Sequence, residues 1–231
     1  DTMTQFADMT DPVLGGRDEL YKAKYLHYQQ AETNTSIREG WFYRDDTHQK
    51  VRSADDVFDI YERAVGGNST FLLNIPPNRE GRFSPADVAS LKEAGKRIKE
   101  TYGTDLLQGA KGPQQVLDGK PDTWLMMDEG HKEFIVTTPS PVTINRIMLQ
   151  EAVATNGERV EKHAVDAWIN GAWKEIVVST NIGYKRILRF PEVTTDKLRV
   201  RLLESRLTPA ISHISAHYYK SRPPQLSFRK D

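Results

Sequence analysis

The 231-residue sequence has no cysteine, which excludes disulfides and thiolate metal sites and leaves the redox compartment unread. No apolar run approaches the roughly 18 residues that a membrane-spanning helix needs. Neither sign of charge prevails. The 32 Lys and Arg are matched by 32 Asp and Glu, so there is no basic field for nucleic acid and no acidic tail. The opening residues, Asp1 to Phe6, lack the basic and apolar regions of a secretory signal. The six histidines, His27, His48, His131, His163, His213 and His217, show no zinc spacing. A Gly66-Gly67-Asn-Ser run lacks the lysine and the following helix of a phosphate loop. The length leaves room for one large or two small domains with a sizeable core.

What is present divides the chain in two. Residues 1–20 are polar and turn-rich and lead into an expected strand over Tyr21 to Tyr28. A helix is marked by Ser53 as cap, Asp55 and Asp56 at its positive end, and an apolar stripe of Val57, Phe58, Tyr61, Ala64 and Val65. Gly66-Gly67 stops it. The nearly continuous apolar run Thr70 to Ile75 suits a strand buried on both faces, ended by Pro76-Pro77. Ser84-Pro85 opens a second helix, with Ser84 as cap, Pro85 at the first helical position and Val88, Leu91, Ala94 and Ile98 as its apolar set. This βαβα order reads as part of a barrel, although a complete (β/α)8 barrel needs eight of each element and about 250 residues.

From about Thr104 the period changes to short alternating runs: Glu133 to Thr137, Ile144 to Leu149, Ala164 to Ile169, Lys174 to Val178, Lys185 to Phe190 and Lys197 to Leu202. Turn clusters at Asn156-Gly157, Asn170-Gly171 and Asn181-Ile-Gly183 separate some of them. An all-β sandwich is the expected result. The expected division is 1–104 for an α/β segment, 105–220 for the sandwich and 221–231 for a linker or tail carrying Pro223-Pro224. Asp118 and Asp122, two acids four apart, are slight evidence for calcium, which takes six or more oxygens, and a plain turn is the simpler reading. Trp124, Trp168 and Trp173 are core residues or sugar platforms, with Trp168 assigned to the core.

Chemistry-bearing residues concentrate in one stretch, Ala31 to Tyr43. It places a carboxylate (Glu32), amide and hydroxyl groups (Asn34, Ser36), a guanidinium (Arg38) and an indole (Trp41) within ten positions. A sugar ring stacks on an exposed aromatic while polar groups fix its hydroxyls and an acid moves a proton. The alternative is a polar loop with a buried Trp41 and an N-capping Glu32 or Ser36, and the residues themselves leave both open. Asn74 reads as a strand-end residue satisfying backbone groups, and Arg79 and Arg82 as a solvated loop.

Two motifs in order carry a resemblance. Glu32-Thr-Asn-Thr-Ser-Ile-Arg-Glu-Gly-Trp-Phe-Tyr43 and Gly67-Asn-Ser-Thr-Phe-Leu-Leu-Asn-Ile-Pro-Pro-Asn-Arg-Glu-Gly-Arg82 resemble the closing part of the catalytic barrel of α-L-fucosidases of glycoside hydrolase family 29. The branch they resemble prefers α-1,3/1,4-linked fucose. Val116-Leu-Asp-Gly-Lys-Pro-Asp-Thr-Trp124 is similar to the opening loop of a discoidin-like (galactose-binding-like) sandwich, which follows the barrel in this family. Asn181 to Pro191 is similar to its C-terminal domain.

The resemblance implies an α/β plus all-β fold: the C-terminal portion of a (β/α)8-type barrel, then the sandwich. It implies a retaining exo-α-L-fucosidase acting on fucosylated glycans, without an obligatory cofactor and with calcium in the sandwich loop of Asp118 and Asp122 as an option in related sandwiches. A periplasmic or extracellular setting is also implied. The family's nucleophilic Asp lies in a motif resembling Trp-Phe-Asp-Gly, which this sequence lacks. The nucleophile is therefore expected in a missing N-terminal part. Glu32 takes the position of an active-site glutamate, acid/base or supporting, and Trp41, Asn34 and Arg38 are the expected sugar-binding residues. The competing expectation is a non-catalytic carbohydrate-binding or structural module.

Overall fold

The computed structural model describes residue 24, residues 30–45 and residues 49–225. The expected strand over 21–28, the opening loop, His27, His48 and residues 226–231 lie outside the described residues, apart from Lys24.

The first part is a short βαβα unit. Strand β1 (Glu32–Ser36) pairs in parallel with β2 (Thr70–Asn74), with Asn34 beside Leu72 and Ser36 beside Asn74. Helix α1 (Ala54–Val65) joins them and α2 (Pro85–Tyr102) follows. The first helix starts as its sequence dictates: the Ser53 hydroxyl accepts from the Asp56 amide at 3.2 Å, beside two acidic residues at the positive helix end. At α2 the expectation changes in one respect. Ser84 stands at the N-cap but makes no side-chain capping bond, and Pro85 alone fits the first turn. A compact core of Ile37, Ala54, Val57 and Ala94 fills the space between strands and helices.

Strand β2 is not buried on both faces. Phe71, Leu73 and Ile75 pack on that core, whereas Leu72 is 46% exposed. The alternate face, bearing Glu32, Asn34, Ser36, Thr70, Leu72 and Asn74, carries polar residues in place of packed apolar ones.

The second part is one antiparallel six-stranded sheet. Its elements are α3 (Gln114–Leu117), β3 (Leu125–Met126), β4 (Glu133–Glu151), α4 (Val153–Asn156), β5 (Val160–Ile169), β6 (Ala172–Ser179), β7 (Arg186–Ser205) and β8 (Ala210–His217). The strand order is β3-β8-β4-β7-β5-β6. Four of the expected short strands merge into two long ones, of 19 and 20 residues. Each long strand has a register shift where prolines fall: Pro139 and Pro141 lie in the shift between Thr137 and Val142, and Pro191 opposite that between Ile144 and Arg146. Proline has no amide to donate, so the ladder breaks there while the chain stays extended. Both halves of β4, from Phe134 to Leu149, contribute to one continuous core with β5, β7 and β8. The Asn170-Gly171 pair makes the expected tight hairpin between β5 and β6, with φ of 51° and 79°.

The two parts meet across a polar and aromatic seam. Glu62 of α1 is buried and accepts from Arg146 Nε at 2.6 Å and Nη2 at 3.2 Å, and from the Tyr102 hydroxyl at 2.6 Å. Burial, reinforced by Glu62, holds the Tyr102 hydroxyl well above the usual tyrosine range. Phe58 stacks on Tyr219 with centroids 5.0 Å apart. Asn68 donates to Ile182 O at 3.1 Å and accepts from Lys185 N at 2.8 Å. Gly66 O accepts from Ile187 N at 3.1 Å, and a Cβ on Gly66 would collide with the Ile187 side chain. The segment from 221, expected as a linker or tail, is pinned as far as residue 225: Arg222 pairs with Glu93 and Glu100, and Gln225 N donates to Asp55 at 2.6 Å.

Candidate functional site

The end of β1 opens into a narrow hairpin. Arg38 bridges Val51, Glu39 N donates to Lys50 O at 3.1 Å and Arg52 N to Ile37 O at 2.7 Å. Gly40, at φ +128°, turns the chain out of β1 in a conformation that side-chain-bearing residues rarely adopt. Between the end of β1 and this hairpin lies a cleft of about 230 Å³, lined by Asn34, Thr35, Ser36, Arg38, Gly40, Trp41 and Arg52. That is below the ~300–1,000 Å³ of drug-sized pockets and suits a small polar molecule.

Three of the four expected site residues line this cleft. Asn34 is exposed on the strand face. Trp41 keeps 45% of its surface exposed, so the buried-indole reading does not hold and an apolar wall is available. Arg38 borders the cleft but is committed. Its Nε lies 3.0 Å and 3.1 Å from the two carboxylate oxygens of Asp87, its Nη1 donates to Gln49 Oε1 at 3.3 Å, and its guanidinium sits 5.3 Å from the Tyr43 ring centroid. Arg38 and Asp87 are both buried, so this pair builds the floor of the cleft, and deleting either partner would strand a charge.

Glu32 is not among the lining residues. It shares the strand face of Asn34, one repeat or about 6.6 Å along β1, is exposed, and makes no hydrogen bond or ion pair among the described residues. The cleft itself has amide, hydroxyl, guanidinium and indole groups and no carboxylate. It can bind a polyol, and a proton transfer there needs Glu32 or a carboxylate from elsewhere.

Four further residues build the site, and of these only Asn74 is marked in the sequence, as a strand-end residue. Arg52 donates to Ser36 O at 2.8 Å, Thr35 Oγ1 at 3.1 Å and Asp56 at 2.6 Å, tying β1 to the start of α1. Gln49 Nε2 donates to Phe42 O at 2.9 Å. Asn74 Nδ2 donates to Trp41 O at 2.7 Å and Ser36 Oγ at 3.2 Å, so it does satisfy a backbone group, that of the cleft's own loop. Asp87 comes from α2, 49 positions after Arg38. Only their meeting in space marks them as parts of one site. Arg79 and Arg82 are exposed and do not border the cleft.

Elsewhere the expectations resolve locally. Asp118 closes its own turn: both carboxylate oxygens accept from the Thr123 hydroxyl at 2.9 Å, and one accepts from Lys120 N at 2.9 Å. Those bonds hold its carboxyl below the usual range. Among the described residues no three His, Asp or Glu side chains converge as metal ligands. Trp168 is outside the core. It lies half-buried beside Trp173, with centroids 5.2 Å apart, and Lys197 and Arg199 cover the two rings at 5.4 Å and 4.8 Å. Strand alternation explains the miss, because Val165, Ala167 and Ile169 take the core face. Among the described residues no helix is long and apolar enough to cross a membrane.

Comparison with known proteins bears on this geometry. Residues 16–103, which contain the cleft, match the family model described as Alpha-L-fucosidase. The chain is 32% identical over 199 residues to putative alpha-L-fucosidase 1 of Oryza sativa subsp. japonica, covering 79% of this chain and 38% of that protein. It is 27% identical over 234 residues to alpha-L-fucosidase 1 of Arabidopsis thaliana, covering 91% and 46%. A crystal structure of a putative alpha-L-fucosidase from Bacteroides ovatus superposes with a TM-score of 0.78 at 38% identity, over 94% of this chain and 35% of that one. The chain thus spans less than half the length of each of these relatives. In sequence and in fold, the protein is similar to the alpha-L-fucosidases.

Proposed function

We propose that the chain is part of a retaining exo-α-L-fucosidase, a glycoside hydrolase that removes terminal α-1,3/1,4-linked L-fucose from glycans outside the cytoplasm. The observation that carries this reading is the cleft at the end of β1: a half-exposed indole faces amide and hydroxyl groups, inside the segment that matches the alpha-L-fucosidase family model. The indole takes the apolar face of the sugar, while Asn34 and the Ser36 and Thr35 hydroxyls meet its hydroxyl groups. Arg38 acts through Asp87 to hold the wall in place. The βαβα unit is the end of a catalytic barrel, and the antiparallel sheet is the appended discoidin-like sandwich.

Retention of configuration uses two carboxyl groups about 5–5.5 Å apart, one attacking the anomeric carbon and one acting as acid and then base. Glu32 is the carboxylate in place for the second role, or for supporting it, at the open face beside Asn34. The nucleophile is contributed from outside residues 1–231.

The test is release of fucose from an α-1,3/1,4-fucosylated trisaccharide, with the intact mass of every polypeptide in the sample recorded. In the assembled enzyme, Trp41→Ala and Glu32→Gln lower hydrolysis by at least about a hundredfold. Both sites are exposed, so their melting temperatures stay close to that of the parent. Equal losses of activity and stability would overturn the reading. Binding of fucosides without turnover in any assembly would favour a non-catalytic carbohydrate-binding module.

A further inference from the structure

The hairpin beyond β1 carries two consecutive aromatic residues, Trp41 and Phe42, 45% and 77% exposed. Exposed loop residues are ordinarily the mobile part of a fold. Here both of their backbone carbonyls are held by side-chain amides. Asn74 Nδ2 donates to Trp41 O at 2.7 Å, and Gln49 Nε2 donates to Phe42 O at 2.9 Å.

Neither amide is itself loose. Gln49 is buried, and its Oε1 accepts from Arg38 Nη1 at 3.3 Å and Arg44 N at 3.1 Å. Asn74 ends β2, and its Nδ2 also donates to Ser36 Oγ at 3.2 Å. Arg38 in turn is fixed on buried Asp87. The loop is therefore anchored from β2 on one side and from the Arg38–Asp87 pair on the other.

We propose that Asn74 and Gln49 are positioning residues that hold Trp41 in place at the cleft before any ligand arrives. A wall ordered in advance loses little freedom on binding, so the benefit falls on affinity more than on the chemical step. The consequence for substrate rests on the reading of the cleft as a sugar site; the positioning itself does not.

The two amides can be tested with near-isosteric changes. Asn74→Asp and Gln49→Glu keep size and acceptors but place an oxygen where each donor nitrogen stood. The protein labelled with 5-fluorotryptophan gives one fluorine resonance for each of its four tryptophans, and Trp41→Phe identifies that of Trp41. In the double variant the Trp41 resonance shifts or broadens, while those of Trp124, Trp168 and Trp173 stay in place and report an intact fold. In the assembled enzyme KM rises about tenfold with kcat within about twofold, the signature of lost uniform binding. Should the double variant fail to fold, each single variant releases one carbonyl and gives part of the same change. An unaltered Trp41 resonance in the folded variants overturns the proposal. A displaced resonance with unchanged KM upholds the positioning and fails the sugar-site reading alone.

Discussion

The two parts of the molecule are held together by different physics. The antiparallel sheet closes over twenty buried apolar residues between Leu107 and Ala216. Among the described residues the βαβα unit has a core of four, Ile37, Ala54, Val57 and Ala94. It relies on charged clamps: Arg38 on Asp87, Arg52 on Asp56, Arg97 on Asp55 and Glu93, and Glu62 on Arg146 from the sheet. Apolar burial is indifferent to direction, so the sheet rests mainly on alternation, with a charged clamp of its own, Arg199 and Arg201 on buried Asp166. Paired buried charges are directional, and the loss of one partner is costly. The part with the small core is also the part with the open polar strand face and the cleft. A strand face that leaves amides and hydroxyls open cannot also be packed with apolar side chains.

The sharpest way to break this contrast is at the seam. Glu62→Ala removes the acceptor of Arg146 and Tyr102, leaving a guanidinium that is only 11% exposed without its partner. A loss of about 3–5 kcal/mol is expected, measured by urea unfolding. A loss no larger than that of an ordinary surface substitution would show that the seam is not held by charge.

In the sheet the corresponding lever is acid. His163 is fully buried, its Nδ1 is 2.7 Å from Thr180 O, and burial pushes its pKa down to about 4. An unfolded histidine titrates near 6.5. The folded state therefore resists a proton that the unfolded state accepts. The contribution is complete above pH ~6.5 and is lost as pH falls toward 4, by on the order of 3 kcal/mol. His163→Gln should flatten that part of the stability–pH curve; a parallel curve in the variant would remove His163 as its cause.

The smallest effect sharpens the comparison within the βαβα unit. Ser53→Ala deletes the cap of α1 and should cost about 1 kcal/mol. Ser84→Ala, at a cap position without a capping bond, should cost distinctly less. Thermal unfolding of the two variants side by side decides it.

The legible features were the ones with short range. The α1 cap, the Asn170-Gly171 hairpin and the change of period after Thr104 all lie within a few residues of their cause. Two long strands read as four because Pro139, Pro141 and Pro191 imitate strand ends. The apolar run over 70–75 places Leu72, and a strand position places Trp168, in packed surroundings, whereas their strand faces decide otherwise. Of the site, Asn34, Arg38 and Trp41 were visible as a cluster in one segment. Asn74 is legible as a strand-end residue bonding backbone, but its partner, 33 positions away, is not; Gln49 and Asp87, acting across 7 and 49 positions, are not legible as supports at all.

The sequence by itself determined which residue types stand near the cleft, where α1 begins, and that helices give way to alternating strands. Local propensity, capping and periodicity suffice for that. Only the tertiary structure decided that Arg38 serves as a floor on Asp87 while Trp41 remains half-exposed, that Glu32 lies one strand repeat outside the cleft, and that Glu62 joins the two parts. Those outcomes depend on which distant side chain arrives to pair with each charge, and nothing short-range encodes that.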